Sequence, residues 1–204
     1  MSRFRLSILL LLLLPCMVHS EDPPKDGYTP LFNGKNLDGW EAVGGAMEKW
    51  TAEDGVIVCK GAGGGWLFTD KTFEDYELAL EYKLPKAGDP GVAIRAPRKR
   101  GDPAYHGLKV TLATGALFDL VPSAKEATRP SGQWNQLRVI AQGPKIKVII
   151  NGETTAEANL EKYKDRSEAR DGKAAHPGVL RIHGHIGLQG EEGVALRNIR
   201  IKKL

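Results

Sequence analysis

The stretch YELALEYKL, residues 76–84, alternates large apolar side chains with polar ones. The apolar side chains stand at every second position, from Tyr76 to Leu84. Because successive side chains of a strand point to opposite faces of its sheet, a period of two predicts a strand with one buried face. This segment therefore predicts a sheet that covers an apolar core on one side and meets solvent on the other.

The same alternation continues along most of the chain. NQLRVIAQ (135–142) and KIKVIING (145–152) are separated by Gly143 and Pro144, which predicts a hairpin. Only residues 158–175 suggest a helix, and they are so polar that a solvated loop or one short helix is expected. Short strands between Gly and Pro turns predict an all-β, two-sheet antiparallel β-sandwich. We expect six of the apolar residues in its core: Leu78, Leu80, Leu137, Val139, Val148 and Ile150.

The first twenty residues predict a targeting segment rather than part of the fold. Two arginines precede an apolar run over 6–14, and a polar-to-small end precedes Glu21, the pattern of a cleaved signal peptide. We therefore predict a signal peptide at 1–20, a linker at 21–28, one domain at 29–204, and export to the periplasm or the outside. The apolar run is too short for a bilayer, so no stable membrane span is expected after cleavage.

Charge and cysteine content exclude several classes of protein. The formal net charge is +4, of which the predicted signal contributes two arginines, and the basic residues are scattered. This distribution argues against nucleic-acid binding. Once the signal is removed, Cys59 is the one remaining cysteine, so it is expected to be a buried, inert thiol rather than part of a disulfide.

Motifs for metal or phosphate chemistry are weak. His183 and His185 share a strand face, but the sequence offers no third ligand beside them, so no metal site is predicted. GAGGGW (61–66) lacks the Lys-Ser/Thr of a phosphate loop. Its Trp66 fits two roles, a core residue or a flat platform for a sugar ring. Glu77 and Glu81 suggest a solvated outer face rather than a glycosidase pair.

The stretch YHGLKVTLAT, residues 105–114, is predicted as a single strand. Its alternation places Leu108, Val110 and Leu112 in the core. Lys109 and Thr111 then lie on the opposite face, which is either a working surface or an ordinary solvated one.

Seven segments of the chain form an ordered set of motifs. They are PLFNGKNLDGW (30–40), GGWLFTDKTFEDYELALEYKL (64–84), PGVAIRAP (90–97), SGQWNQLRV (131–139), IING (149–152), HIGLQG (185–190) and LRNIRIKKL (196–204). Taken together, these segments resemble the 3-keto-disaccharide hydrolase family. The resemblance covers nearly the whole chain after the signal, and its opening and closing segments are specific. It implies a concanavalin A-like jelly roll, usually exported, that acts on glycosides already oxidised at C3.

The implied substrate explains why no glycosidase carboxylate pair is needed. A ketone at C3 acidifies the C2 proton, so the anomeric group leaves by elimination and water then adds. This route needs a base for the C2 proton and a cation or metal to hold the enolate oxygen. The cofactor, if one is used, stays open.

The resemblance also identifies the working surface. The family's strand reads Tyr-X-Gly-X-Glu-X-Gln before an acidic turn. In this chain Lys109 and Thr111 replace the Glu and Gln, and the family's acidic position falls near Ala113. Lys109 is predicted as a base or an enolate stabiliser, with Arg95 beside it favouring its neutral amine by like-charge repulsion. His106 is a second catalytic candidate, although its alternation matches Leu108.

Five residues are predicted to bind substrate on a concave sheet face, the partner being a carbohydrate or 3-keto-glycoside. A non-catalytic carbohydrate-binding module is the alternative, and a purely structural exported domain is a third possibility. In either alternative the change at Lys109 marks a loss of turnover. The five residues are Arg95, Thr111, Gln189, Trp66 and Asp119.

Overall fold

A computed structural model describes residues 26–85, 88–98, 101–169, 172 and 174–204. The helices within these residues are short: α1 (Pro103–His106) and two 3₁₀-helices at Met47–Lys49 and Leu160–Ser167. The strands are β1 (Thr29–Pro30), β2 (Trp40–Val43), β3 (Trp50–Glu53), β4 (Val56–Cys59), β5 (Trp66–Thr69), β6 (Tyr76–Lys83), β7 (Gly91–Ala96), β8 (Leu108–Thr111), β9 (Trp134–Gln142), β10 (Lys145–Ile150), β11 (Glu153–Asn159), β12 (His185–Gln189) and β13 (Ala195–Lys203).

These strands form two antiparallel sheets. The first has the order β11-β10-β9-β6-β13-β4-β3, with β1 paired to β13, and the second has the order β2-β5-β12-β7-β8. β6 lies near the middle of the first sheet, paired with β9 on one side and β13 on the other. The predicted all-β, antiparallel two-sheet sandwich is confirmed.

The core lies between the sheets. All six core residues predicted from the first sheet's strands are at most 3 % exposed. The second sheet contributes its own apolar side chains to the same cluster, among them Leu67, Val92, Leu108 and Leu188. Burial of these faces provides the main favourable free energy for the packing of one sheet on the other.

The hairpin predicted across Gly143 and Pro144 is confirmed, because β9 and β10 pair from Gln142–Lys145 outward. Within the described residues of the polar stretch 158–175 lie the end of β11 and one short helix, which is one of the two structures expected there. Asn159 caps that 3₁₀-helix, its side chain accepting from the amide of Glu161 at 3.1 Å. The cap is why the strand stops there.

The prediction that 105–114 forms one strand is wrong at both ends. Asp102 accepts a hydrogen bond from the amide of Ala104, Pro103 occupies the first helical turn, and Gly107 ends the helix. An N-cap acid followed by proline begins a helix, so Tyr105 and His106 are helical. The strand covers only Leu108–Thr111, and a turn follows it.

The predicted signal peptide lies outside the described residues, as do the first five residues of the predicted linker. Its last three are described, and Tyr28 donates to the carboxylate of Glu77 while its ring contacts the guanidinium of Arg200. In the described part of the chain, no helix has the length and apolar character required to cross a membrane.

Candidate functional site

The face of the second sheet that turns away from the core carries most of the predicted site residues, and we call it the site face. On β8, Leu108 and Val110 belong to the core cluster, so Lys109 and Thr111 lie on the opposite side. The alternation predicted for these four residues is confirmed. Lys109 is only 8 % exposed, which separates it from an ordinary solvated lysine.

Strand pairing brings four predicted residues to this face. Thr111 lies opposite Gly91 on β7, and Gln189 on β12 lies opposite Trp66 on β5. β12 lies between β5 and β7, so Trp66 and Lys109 are three strand spacings apart, about 14 Å. Lys109, Thr111, Gln189 and Trp66 therefore belong to one surface.

Lys109 is held flat against the sheet. A Cβ on Gly91 would overlap Cγ and Cε of Lys109, so the absence of a side chain at Gly91 lets the lysine stem lie across β7. The ammonium donates to the backbone carbonyl of Asp89 at 3.1 Å and lies 5.2 Å from the centroid of the Phe118 ring. Among the described residues it forms no ion pair. It is thus a largely desolvated cation with N–H groups to spare.

Arg95 does not belong to this surface, so its predicted pairing with Lys109 is wrong. Its φ is +52°, and the pairing of β7 with β12 shifts register beside it, between His185 and Gly187. This bulge turns the side chain inward. The guanidinium is fully buried and donates to the carbonyls of Glu74 (3.0 Å) and Gly143 (2.6 Å), which lie just before β6 and just after β9 of the first sheet. The site face therefore lacks the second cation that was predicted beside Lys109.

The three other site-face residues have polar or aromatic groups suited to a sugar. The Thr111 and Thr114 hydroxyls are 2.6 Å apart. Oε1 of Gln189 is buried and has no hydrogen-bond partner within the described part of the chain. Trp66 is half-buried and stacks on Phe68 with ring centroids 6.1 Å apart, so it faces the site rather than the core.

Asp119 lies beyond the edge of the second sheet and is already paired. Its Oδ2 accepts from Nη2 of Arg166 at 2.7 Å and lies 3.3 Å from Nε2 of the buried His176. Partial burial acts to raise the pKa of Asp119, but the hydrogen bonds and charges of Arg166 and His176 outweigh it and hold the pKa below its ordinary value. The Asp119 carboxylate is therefore engaged by Arg166 and His176 rather than by the site face.

His106 ends α1 and is half-buried. Its Nδ1 lies 3.3 Å from the carbonyl oxygen of Asp102, and its ring lies over Gly101. No contact joins it to Lys109 in the parts of the chain that the structure describes. Its catalytic role stays a prediction.

Two carboxylates that the sequence reasoning did not select approach the site face. Asp89 accepts from the amide of Ala113 at 3.3 Å, which supplies an acidic group where the family's acidic turn was expected. The carboxylate of Glu191 lies against Gly88, where a Cβ would overlap it. The signal for Glu191 was present, because it follows Gln189 by two residues and shares its alternation.

Metal chemistry finds no support in the described residues, where no three His, Cys, Asp or Glu side chains form a group that would hold an ion. His183 is exposed, and Nδ1 of His185 lies 2.8 Å from the carbonyl oxygen of Thr69. The absence of a metal site stays a prediction.

The solved structures most useful for comparison have the same fold. Two proposed glycosyl hydrolases from Parabacteroides distasonis superpose with TM-scores of 0.74 and 0.78, at 26 % and 23 % identity. The alignments cover 87 % and 92 % of this chain and 99 % and 98 % of those chains. A non-specific endo-β-1,3(4)-glucanase shares the fold at a TM-score of 0.53 and 13 % identity, covering 87 % of this chain and 92 % of that one.

Sequence comparison identifies the family. A curated 3-keto-disaccharide hydrolase of Bacteroides thetaiotaomicron is 26 % identical over 230 aligned positions, covering 88 % of this chain and 79 % of the relative. The model of the 3-keto-alpha-glucoside-1,2-lyase-like domain matches residues 27–202. That match takes in both sheets, except for the last residue of β13, and every residue of the site face named above. The chain therefore belongs to the family of 3-keto-alpha-glucoside-1,2-lyase-like domains.

Proposed function

We propose that this protein is an exported enzyme that cleaves glycosides already oxidised at C3. Family membership and the name of the Bacteroides relative support the substrate class. The single observation that carries the proposal is the desolvated ammonium of Lys109, which lies on the same site face as Trp66 and Gln189. The pattern of the first twenty residues supports export.

The proposed reaction begins at C2. Removal of the C2 proton leaves an electron pair that moves into C2–C3 and places negative charge on the C3 oxygen. The enolate then expels the anomeric oxygen, the aglycone takes up a proton from water, and a C1–C2 double bond remains. Addition of water across that bond, with its hydroxyl at C1, completes a net hydrolysis.

In this reaction Lys109 acts by electrostatics. Its charge meets the oxygen that becomes an enolate, and a preorganised donor in a desolvated site stabilises such a charge far more than water does. Thr111 and Gln189 supply hydrogen bonds to sugar hydroxyls, and Trp66 offers a ring face. His106 stays the candidate for a second proton-transfer group.

A non-catalytic carbohydrate-binding module is the alternative. It is favoured by one observation, that Lys109 and Thr111 stand where the family's strand carries Glu and Gln. A protein that had lost turnover would keep the aromatic and amide contacts and lose the reacting groups.

Turnover of a 3-keto-glycoside by wild type and by Lys109→Met separates these functions. We expect the variant to lose roughly 100-fold in kcat, the usual effect of removing one oxyanion donor. Lys147→Met is the matched control, since Lys147 lies on the other sheet and pairs with Glu157. Equal rates in wild type and Lys109→Met would remove Lys109 from the mechanism, whereas sugar binding without turnover in wild type would favour the binding module.

A further inference from the structure

The end of β12 brings a carboxylate to the site face. Gly190 continues the strand by donating its amide to the carbonyl of Gly65 at 2.6 Å, so Glu191 keeps the alternation of Gln189. The Glu191 side chain crosses toward the segment that leads into β7, and its carboxylate lies against Gly88. A side chain at residue 88 would occupy the same space.

Lys109 reaches the same segment from the other side. Its ammonium binds the carbonyl of Asp89, the residue next to Gly88. Glu191 and Lys109 thus flank two consecutive backbone residues, yet no ion pair joins them within the described residues. A cation and a carboxylate are therefore held near one another without neutralising each other.

Of Glu191, Asp89 and Asp119, only Glu191 has a carboxylate that accepts no hydrogen bond within the described residues. It is half-buried, and in the described part of the chain it forms no side-chain hydrogen bond or ion pair. Asp89 already accepts from Ala113, and Asp119 already accepts from Arg166. A general base needs a free lone pair within reach of the proton that it removes, a condition that Glu191 meets best among these three.

We propose that Glu191 is the base that removes the C2 proton while Lys109 holds the C3 oxygen. This inference rests on the proposed function. The carboxylate oxygen forms a bond to the proton, the C–H electron pair becomes the enolate, and the resulting carboxylic acid returns its proton to water after the aglycone leaves. For the ammonium to contact the C3 oxygen while the carboxylate contacts the C2 proton, the two groups must be about 5–8 Å apart. Two side chains on either side of Gly88 and Asp89 suit that separation.

Exchange of the C2 proton for deuterium, followed by NMR in D₂O, tests the base apart from the later steps. We expect wild type to exchange C2 of a 3-keto-glycoside and Glu191→Gln to lose at least 100-fold in exchange rate and in turnover. Glu191→Asp keeps the carboxylate on a shorter stem, so it is expected to retain more exchange than Glu191→Gln.

Glu192→Gln is the matched control, because Glu192 is the neighbouring exposed carboxylate. It should exchange like wild type, and a thermal melt of each variant reports folding. Glu191→Gln with the exchange rate of wild type would overturn the assignment of Glu191 and leave the proposed function standing. Wild type without exchange or turnover would overturn the proposed function itself, and Glu191 with it.

Discussion

Arg95 places a full positive charge between the two sheets, and its hydrogen bonds show what the charge does there. The guanidinium binds the carbonyls of Glu74 and Gly143 and lies 3.2 Å from the carboxylate of Asp75. Glu74 and Asp75 lead into β6, and Gly143 is the turn between β9 and β10. One side chain from the second sheet therefore fixes two segments of the first.

Replacing Arg95 by Met should lower the free energy of unfolding by about 3 kcal/mol, because buried carbonyls lose their donors. Urea unfolding measures this loss. Arg138→Met is the control, since Arg138 is half-exposed, pairs with Glu77 on the outer face, and should cost less than about 1 kcal/mol. Similar losses in the two variants would show that the Arg95 network does not join the sheets.

The family resemblance placed Arg95 beside Lys109, and that placement failed for a definite reason. A strict period of two gives residues 93, 95, 109 and 111 one face. The bulge at Arg95 depends on how β12 pairs with β7, and this pairing involves residues about ninety positions away. No local pattern reports it. Lys109 was placed correctly because β8 has no such irregularity.

At the scale of elements, the sequence of α1 contains helix-capping residues that the strand alternation led us to overlook. Asp102, Pro103 and Gly107 carry the cap, first turn and end of a short helix, and these residue types are strong markers. The alternation of Leu108, Val110 and Leu112 was extended backwards through them. Capping residues determine the structure before Leu108, because the strand alternation begins only at that residue.

The segment after β11 is held to the second sheet by the cluster of Arg166, His176 and Asp119. His176 is fully buried, and its ring lies 4.7 Å from that of Tyr105 on α1. Burial lowers the pKa of His176 from its ordinary value of 6.5, and Asp119 offsets this only in part. The folded protein thus favours the neutral ring.

This cluster makes stability depend on pH. Between the folded pKa of His176 and about 6.5 the unfolded chain binds more protons, so the free energy of unfolding falls as the pH is lowered through that range. The pKa of Asp119 is also lowered in the fold, which adds a second loss as the pH falls below about 3.8.

The urea midpoint should therefore be lower at pH 5.5 than at pH 7.5, and His176→Gln should remove most of that difference. His183→Gln is the control, because His183 is exposed. A His176→Gln variant with the pH dependence of wild type would show that another group controls it.

At the scale of the whole molecule, the fold was accessible from sequence because its information is local. Each strand has its own alternation of apolar and polar residues, and the turns between strands contain Gly and Pro. These local patterns are enough to predict two sheets that pack their apolar faces together. The site is different in kind. Glu191 and Lys109 lie on either side of Gly88 and Asp89 because β12, β7 and β8 are neighbours in one sheet, although the two residues are far apart in sequence.

Two half-buried tryptophans on opposite sides of the molecule test which face binds sugar. Trp66 lies on the site face of the second sheet, opposite Gln189. Trp134 lies on the outer face of the first sheet, where the guanidinium of Arg197 is 4.0 Å and the ammonium of Lys83 is 5.2 Å from its ring. Those cations already cover Trp134, whereas Trp66 contacts only its aromatic neighbour among the ring partners described.

We expect Trp66→Ala to weaken the binding of methyl α-glucoside about tenfold, equal to about 1.4 kcal/mol of lost ring contact. This glycoside lacks the C3 ketone, so binding is measured by calorimetry without turnover. Trp134→Ala removes the same side chain from the other sheet and should leave the affinity unchanged. Because both substitutions delete a half-buried indole, general destabilisation would affect both alike. If Trp134→Ala lost the affinity and Trp66→Ala kept it, the sugar site would lie on the first sheet, away from Lys109 and Glu191.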